Sequence, residues 1–284
     1  MAGRESPHAE HPGQGPSSVT DCPHDQRGGD TVVSEGDTTL FDDLAASYDA
    51  WYQTPLGALA DELERETVLA LAGEVDGQTV LDASCGTGHY AIAMAQRGAQ
   101  VIAVDVSAPM LALARGKAQR EGLPLALVRA SLEHLPFRAG SFNVVTCVLA
   151  LEFVADPAWA VAELARVQPP GGRLVIGALG RFSSWAVARR LKGLFGPSLW
   201  RHARFFGRRQ LASLLLNAGY RDVTMRGVIF FPPVQSAPLL AVLRRLEQPG
   251  RRLVPGLAAF LAVAGNKQEQ DVGVCQKSGE SSRR

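Results

Sequence analysis

Residues 79–105, TVLDASCGTGHYAIAMAQRGAQVIAVD, constrain the fold more than any other stretch. A short apolar run, Thr79–Leu81, leads to Asp82. Gly86 and Gly88 then let the backbone turn tightly and approach a ligand, because neither carries a Cβ. Tyr90–Gln96 has helical spacing and stops at Gly98. Val101–Val104 reads as a second buried strand with Asp105 at its carboxyl end. Strand, glycine turn, helix and strand make one βαβ unit, and such units bind ligands at the carboxyl ends of their strands.

Two ligand classes compete for this unit. Gly86-Thr87-Gly88-His89-Tyr90-Ala91 fits the loose G-x-G-x-x-A form of a dinucleotide fingerprint. Asp82, just before the glycines, would repel phosphates but can face an ammonium or sulfonium. Asp105 suits both classes, since a carboxylate there accepts ribose hydroxyls. A glycine-rich turn that binds nothing is the plain alternative.

With 284 residues and 46% hydrophobic content, the chain can hold one large α/β domain. A formal charge of +1 argues against wholesale electrostatic binding to nucleic acid. No apolar run reaches the roughly 18–20 residues needed to span a bilayer. The N-terminal residues show no signal peptide. Cys22, Cys85, Cys147 and Cys275 form no C-x-x-C pair. Together these point to a reduced, cytoplasmic protein without a metal site.

Residues 1–37 are rich in Gly, Pro, Ser, His and charge and are expected to be disordered, as is the polar tail 268–284. His8, His11, His24 and Cys22 are too irregularly spaced for a metal cluster. Between the tails, 38–267 reads as one domain. Phe41–Trp51 and Leu56–Ala72 have helical spacing and form a cap within 38–75. Ser107 can N-cap a helix running to about Glu121. Further strands are expected at Leu125–Arg129, Ser141–Leu149, Arg173–Ala178, Val223–Phe231 and Ala258–Ala264. Helices are expected from Pro157 to about Val167, over Gln210–Ala218 and over Leu239–Leu246.

Three more segments sharpen the reading. V-L-D-A-S-C-G-T-G resembles the first motif of the class I S-adenosylmethionine (SAM)-dependent methyltransferases, V-L-D-x-G-C-G-T-G. Ala130–Phe137, A-S-L-E-H-L-P-F, is similar to that family's G-D-A-E-x-L-P-F. Q-P-P-G-G, about 85 residues after the first motif, resembles its K-P-G-G turn before an apolar strand. Phe41–Asp49 matches a family lid pattern, F-x-x-x-A-x-x-Y-D. The resemblance spans about Phe41 to Lys267. It implies a Rossmann-like α/β fold: a seven-stranded, mostly parallel sheet with helices on both faces and an antiparallel last strand. Ser84, Ser131 and Asn143 stand where the family more often has Gly, Asp and Asp.

The resemblance implies SAM as cofactor and assigns roles residue by residue. Gly86 and Gly88, with Ser84 and Cys85, approach its methionine part. Asp82 faces the ammonium end, directly or through water. Asp105 binds the ribose hydroxyls. Val106 and Met110 flank the adenine, and Ser131, Leu132 and Glu133 close its edge. Val148 and Leu149 line the boundary with the acceptor, and Tyr48 and Tyr52 face the site from the lid. Two other classes stay open: a nicotinamide-dependent oxidoreductase and a catalytically silent SAM-fold partner subunit.

Methyl transfer needs alignment and exclusion of water more than a catalytic dyad. Glu152, just past the fourth strand, is the candidate catalytic residue: it can bind or deprotonate an acceptor, or merely cap the next helix. His89 reads as a helix-start surface residue, His134 as a surface loop residue, and His202 as part of a basic stretch. That stretch, within an insertion at 181–215, interleaves eight Arg and Lys with Phe and Trp, and no acid occurs from Leu164 to Tyr220. It is a solvated helix face, a surface for an acidic substrate, or a peripheral membrane contact over 181–209. The acceptor is expected to be a small molecule, with a quinone- or lipid-like one suiting the insertion. Nucleic acid is not expected, and oligomeric state is not readable.

Overall fold

The computed structural model describes residues 35–194 and 199–269. The expectations for most of the two tails, with Cys22, Cys275 and three histidines, lie outside them. Seven strands form one sheet in the order β3-β2-β1-β4-β5-β7-β6. They are β1 Thr79–Ala83, β2 Gln100–Asp105, β3 Ala126–Arg129, β4 Val144–Val148, β5 Arg173–Leu179, β6 Tyr220–Val228 and β7 Phe260–Lys267. β1 to β5 run parallel, and β7 is antiparallel to both β5 and β6. The mostly parallel sheet expected from the sequence is therefore present, with its antiparallel last strand. The order reverses between β1 and β4, and a crevice opens outside the carboxyl ends of such strands.

Alternation along each strand builds two core layers. Val80, Val101, Val144 and Val175 point to one face, under α2 (Pro55–Ala72), α3 (His89–Ala95) and α4 (Ala108–Arg120). Leu81, Val104, Val145 and Ile176 point to the other, under α5 (Pro157–Arg166) and α7 (Arg208–Asn217). Two helix starts follow the local sequence. The Ser107 hydroxyl accepts from the Met110 N–H at 3.3 Å, and Asp156 Oδ1 accepts from Ala158 and Trp159 at 2.8 and 3.2 Å. Pro follows both caps by one or two residues, where its missing N–H costs nothing.

Several boundaries differ from expectation, for reasons that lie in register rather than in composition. Helix α1 (Glu35–Tyr52) begins before residue 38. β1 continues through Asp82 to Ala83, because it pairs with β2 as far as Val104. β4 is confined to 144–148, the span it shares with its neighbours. β6 lies three residues earlier than expected and stops before Ile229, whose φ of +65° leaves the strand region. β7 runs past the expected Ala264 to Asn266 and Lys267, which pair with Arg173, Tyr220 and Arg221. The single helix expected near 239–246 is α8 (Ala237–Leu243), a 3-10 turn over Arg244–Leu246, and α9 (Glu247–Leu253).

Candidate functional site

The crevice is built around the turn after β1. Gly86 has φ +52° and Gly88 φ +89°, both in the left-handed region. A Cβ on Gly88 would also lie 3.0 Å from Ala114 on α4, so close helix packing needs glycine there. Ser84 takes φ +87°, a conformation that side chains disfavour. This explains why a glycine is the commoner residue at such a position. Cys85 is buried and free, as is Cys147.

Two carboxylates end the strands on either side of this turn. Asp82 is fully buried. Its Oδ1 accepts from the Thr146 hydroxyl at 2.9 Å, and Oδ2 has no partner among the described residues. Burial pushes its carboxyl up to about 7, opposed by the Thr146 hydroxyl and the nearby Ala91 backbone N–H. Asp105 accepts from the Gly86 N–H at 2.8 Å and the Ser107 N–H at 2.9 Å. Burial pushes it up as well. One carboxylate thus holds the glycine turn and the next loop in fixed register, and its remaining lone pairs stay available.

Helix α1 closes over the turn. Asp42 accepts from the Ser107 hydroxyl at 2.6 Å. Asp49 accepts from the Thr87 hydroxyl at 2.6 Å and from Lys117 Nζ at 2.7 Å. Lys117 also donates to Thr87 at 2.9 Å. Burial pushes Asp49 up, but the bonds from Lys117 and Thr87 outweigh it and hold the carboxyl below its usual range. Tyr48 lies 4.0 Å from where a Gly86 Cβ would stand, and the Tyr52 hydroxyl is within 3.1 Å of Tyr48's. His89 is not simply a surface residue. It sits half-buried with Asp49 at 3.3 Å, Asp61 at 3.6 Å and the Tyr52 ring 4.2 Å away. Burial and the Lys117 charge lower its pKa. A cavity of about 390 Å³ adjoins this network at Asp49, His89 and Lys117.

The loop after β3 is folded upon itself. The Ser131 hydroxyl accepts from the Glu133 N–H at 3.2 Å, and Glu133 accepts from the Asp156 N–H at 3.3 Å. Leu132 and Met110 are buried, while Val106, Ser131 and Glu133 are half-buried. The strand β4 brings Val148 to the crevice, and Leu149 follows with φ +55°. Such a strained residue at a strand end is common where a site is built.

Glu152 does not cap α5; Asp156 does. The Glu152 Oε1 accepts from the Leu179 N–H at 2.6 Å, while Oε2 is buried without a partner among the described residues. Burial pushes its carboxyl up to about 7. Glu64 on α2 is buried too and is pushed up to about 8. Arg189, on α6 (Ser184–Leu194), opposes both shifts with its charge. Its guanidinium lies 4.9 Å from the Trp185 ring and 4.5 Å from Trp200. Asp42, Asp49, Lys117 and Glu64 escaped the sequence reading, and Arg189 entered it only as one cation of the basic stretch. Asp49 alone carried a signal, as the last residue of the Phe41–Asp49 pattern.

The residues present fit SAM on two observations: a buried, unpartnered carboxylate oxygen under the turn, and bare glycine backbone beside it. No group of three or more His, Cys, Asp or Glu among the described residues is placed to hold a metal.

A family model described as a methyltransferase domain matches residues 81–176. A ubiquinone biosynthesis O-methyltransferase of Idiomarina loihiensis is 35% identical over 162 residues, 55% of this chain and 67% of that protein. A demethylmenaquinone methyltransferase of Thermus thermophilus is 38% identical over 139 residues, 48% of this chain and 63% of that protein. The chain spans 62% of the length of similar mycobacterial proteins, at 36% identity. Among solved structures, a SAM-dependent methyltransferase of Thermotoga maritima superposes with a TM-score of 0.64 at 22% identity, covering 82% of this chain and all of that one. That likeness shows the fold.

Proposed function

This chain belongs to the SAM-dependent methyltransferase family, and we propose that it transfers a methyl group to a small, quinone- or lipid-like acceptor in the cytoplasm. The observation that carries the reading is the pair of carboxylates at the ends of β1 and β2 on either side of the bare glycine turn. Asp82 would meet the cationic amino-acid end of the cofactor, and Asp105 its ribose. Gly86 and Gly88, with Ser84 and Cys85, would lie against the methionine part. Val106 and Met110 would flank the adenine, and Ser131, Leu132 and Glu133 its edge. Tyr48 would cover the site from above. When bound, SAM supplies a methyl group on a sulfonium whose departure leaves a neutral thioether, so no strong acid is needed.

The chain's own work is alignment, dryness and one proton. Val148 and Leu149 set the wall between cofactor and acceptor. The closed α1 helix keeps water out, which strengthens every electrostatic contact inside. Glu152 holds a carboxyl whose pKa of about 7 suits it to take a proton from an acceptor hydroxyl. The Leu179 N–H fixes its orientation. Quinone methyltransferases among the relatives support the acceptor class. A peripheral membrane contact through 181–209 would suit a lipid-soluble acceptor.

Calorimetric titration with SAM and S-adenosylhomocysteine tests the reading. Binding of both near micromolar is expected; binding of neither would overturn it. A catalytically silent partner subunit is the second reading. It is favoured by Ser131, whose hydroxyl is already engaged by Glu133. The unpartnered Asp82 oxygen opposes a pyrophosphate at the turn, which counts against a nicotinamide dinucleotide.

A further inference from the structure

The surface charge is divided along the chain. Residues 164–268 carry seventeen Lys and Arg but only two acids, Asp222 and Glu247. Neither acid is exposed at the end of the sheet where the site lies. Asp222 follows Arg221, which is level with the start of β5 through Asn266. Glu247 is buried and accepts from the Ile229 and Phe230 N–H groups at 3.1 and 2.8 Å.

Apolar exposure is divided in the same way. Eleven of the thirteen exposed large apolar side chains among the described residues lie between 182 and 257. They form rows. On α6, Val187, Leu191 and Leu194 recur at i, i+4 and i+7 and face outward, Leu194 with 72% of its surface exposed. Leu239, Val242 and Leu246 recur at i, i+3 and i+7 along α8 and the turn after it, and Leu253 is 78% exposed on α9. An amphipathic helix on a water-facing surface turns its apolar row inward. These helices bury Trp185, Ala186 and Leu240, yet show a second apolar row to the outside. Arg190 and Lys192 flank one row; Arg245, Arg251 and Arg252 flank the other, all exposed.

The tertiary fold brings the helices that carry these rows to the same end of the sheet. β5 and β6 end at the same level, Leu179 and Val228 both opposite Phe260. The chain leaves both strands toward the end that holds Glu152, which is bonded to Leu179. Trp185 on α6 donates to the Phe231 carbonyl at 2.9 Å, just past β6, and shares a buried cluster with Phe231 and Leu240.

We propose that this edge, formed by α6 together with α8 and α9, docks on an anionic phospholipid surface. The Leu and Val rows enter the boundary between headgroups and acyl chains, and the flanking Arg and Lys meet lipid phosphates. A nucleic acid would be served by the cations without the exposed aliphatic rows. The consequence for acceptor delivery rests on the function proposed above: a lipid-soluble acceptor would reach Glu152 from the bilayer without crossing water.

The test is co-sedimentation of the full chain with phosphatidylcholine vesicles, with and without phosphatidylglycerol. Binding is expected only with phosphatidylglycerol, and weakens as salt rises. Arg251→Glu/Arg252→Glu should weaken it by at least about 25-fold, about fivefold for each charge removed. Val242→Glu/Leu246→Glu should abolish the binding that survives at high salt. SAM titration and thermal melts of the same variants confirm that the fold is intact. Absence of phosphatidylglycerol-dependent binding at low salt overturns the docking surface, as do variants that sediment like the parent. A dimer that these substitutions dissociate assigns the face to a second copy and overturns it too. Vesicle binding with no SAM binding would instead retain the docking surface and remove the methyltransferase reading.

Discussion

The cofactor side and the acceptor side of the crevice are built on opposite principles. From β1 to β4 the chain buries acids: Asp82 and Asp105 stand at strand ends, and Asp42 and Asp49 tie α1 down over them. From β5 onward it gathers cations and leaves apolar rows in the open. The first arrangement suits a charged small molecule held by a few fixed contacts away from water, where each is worth more than in water. The second spreads weak contacts over a surface. Glu152 sits at the seam: it follows β4 in the chain, yet it is held by the Leu179 N–H and feels the Arg189 charge, both from the region after it. A carboxylate site can be written in a short motif; a surface needs several helices.

The largest effect should come at the seam. Glu152→Gln keeps shape and the Leu179 bond but cannot take a proton. It should lower kcat about 100-fold with any acceptor that must lose one, and leave SAM affinity within about twofold. Unchanged kcat would move Glu152 to the structural side of the comparison. Next comes Asp105→Ala, which removes the proposed ribose contact and frees the Gly86 and Ser107 N–H groups. SAM affinity should fall at least about tenfold by calorimetry; wild-type affinity would mean the cofactor lies elsewhere.

The α1 closure should come third. Asp49→Ala and Lys117→Met each break the same three-residue link to Thr87, so each should weaken SAM binding by about fivefold to tenfold. The double variant should be no worse than either single one, because the residues act as a unit. Additive losses would show that α1 is held by other contacts.

A smaller effect is expected from pH. Asp82 has a folded pKa of about 7, above its unfolded value near 3.8. The folded state therefore holds this proton more tightly, and the stability it contributes is lost as pH rises from about 4 through 7. Without ligand, the parent protein should lose stability relative to Asp82→Asn between pH 5 and 8, measured by urea unfolding. A cationic ligand favours the ionised carboxylate, so SAM affinity should rise over the same range with release of a proton. Buffer-independent binding heats would contradict this. Smallest is Ser84→Gly, which relieves φ +87° and should stabilise the fold by about 1 kcal/mol. A loss of stability would show that the Ser84 hydroxyl bond to Ala83 outweighs the strain.

The sequence by itself determined what acts over a few residues. Turn stereochemistry at Gly86 and Gly88, the apolar runs Thr79–Leu81 and Val101–Val104, and the Ser107 cap are local. They were enough to read the central strand–turn–helix–strand unit; the seven-stranded sheet and its antiparallel last strand followed from the resemblance of motifs spread over Phe41 to Lys267. Strand ends were less legible, because pairing with a neighbour sets them: the last strand reads as ending at Ala264 until Arg173 is placed beside Asn266. Partnerships across long separations were not legible at all. Lys117 meets Asp49 from 68 residues away, Leu179 orients Glu152, and Trp185 ties α6 to the end of β6. Basic character after Leu164 could be counted from the letters, but not the second row on α8 and α9, nor its place at the same edge. Those depend on how helices settle on a finished sheet. That settling is decided by burial and packing summed over the whole domain, which local pattern does not encode.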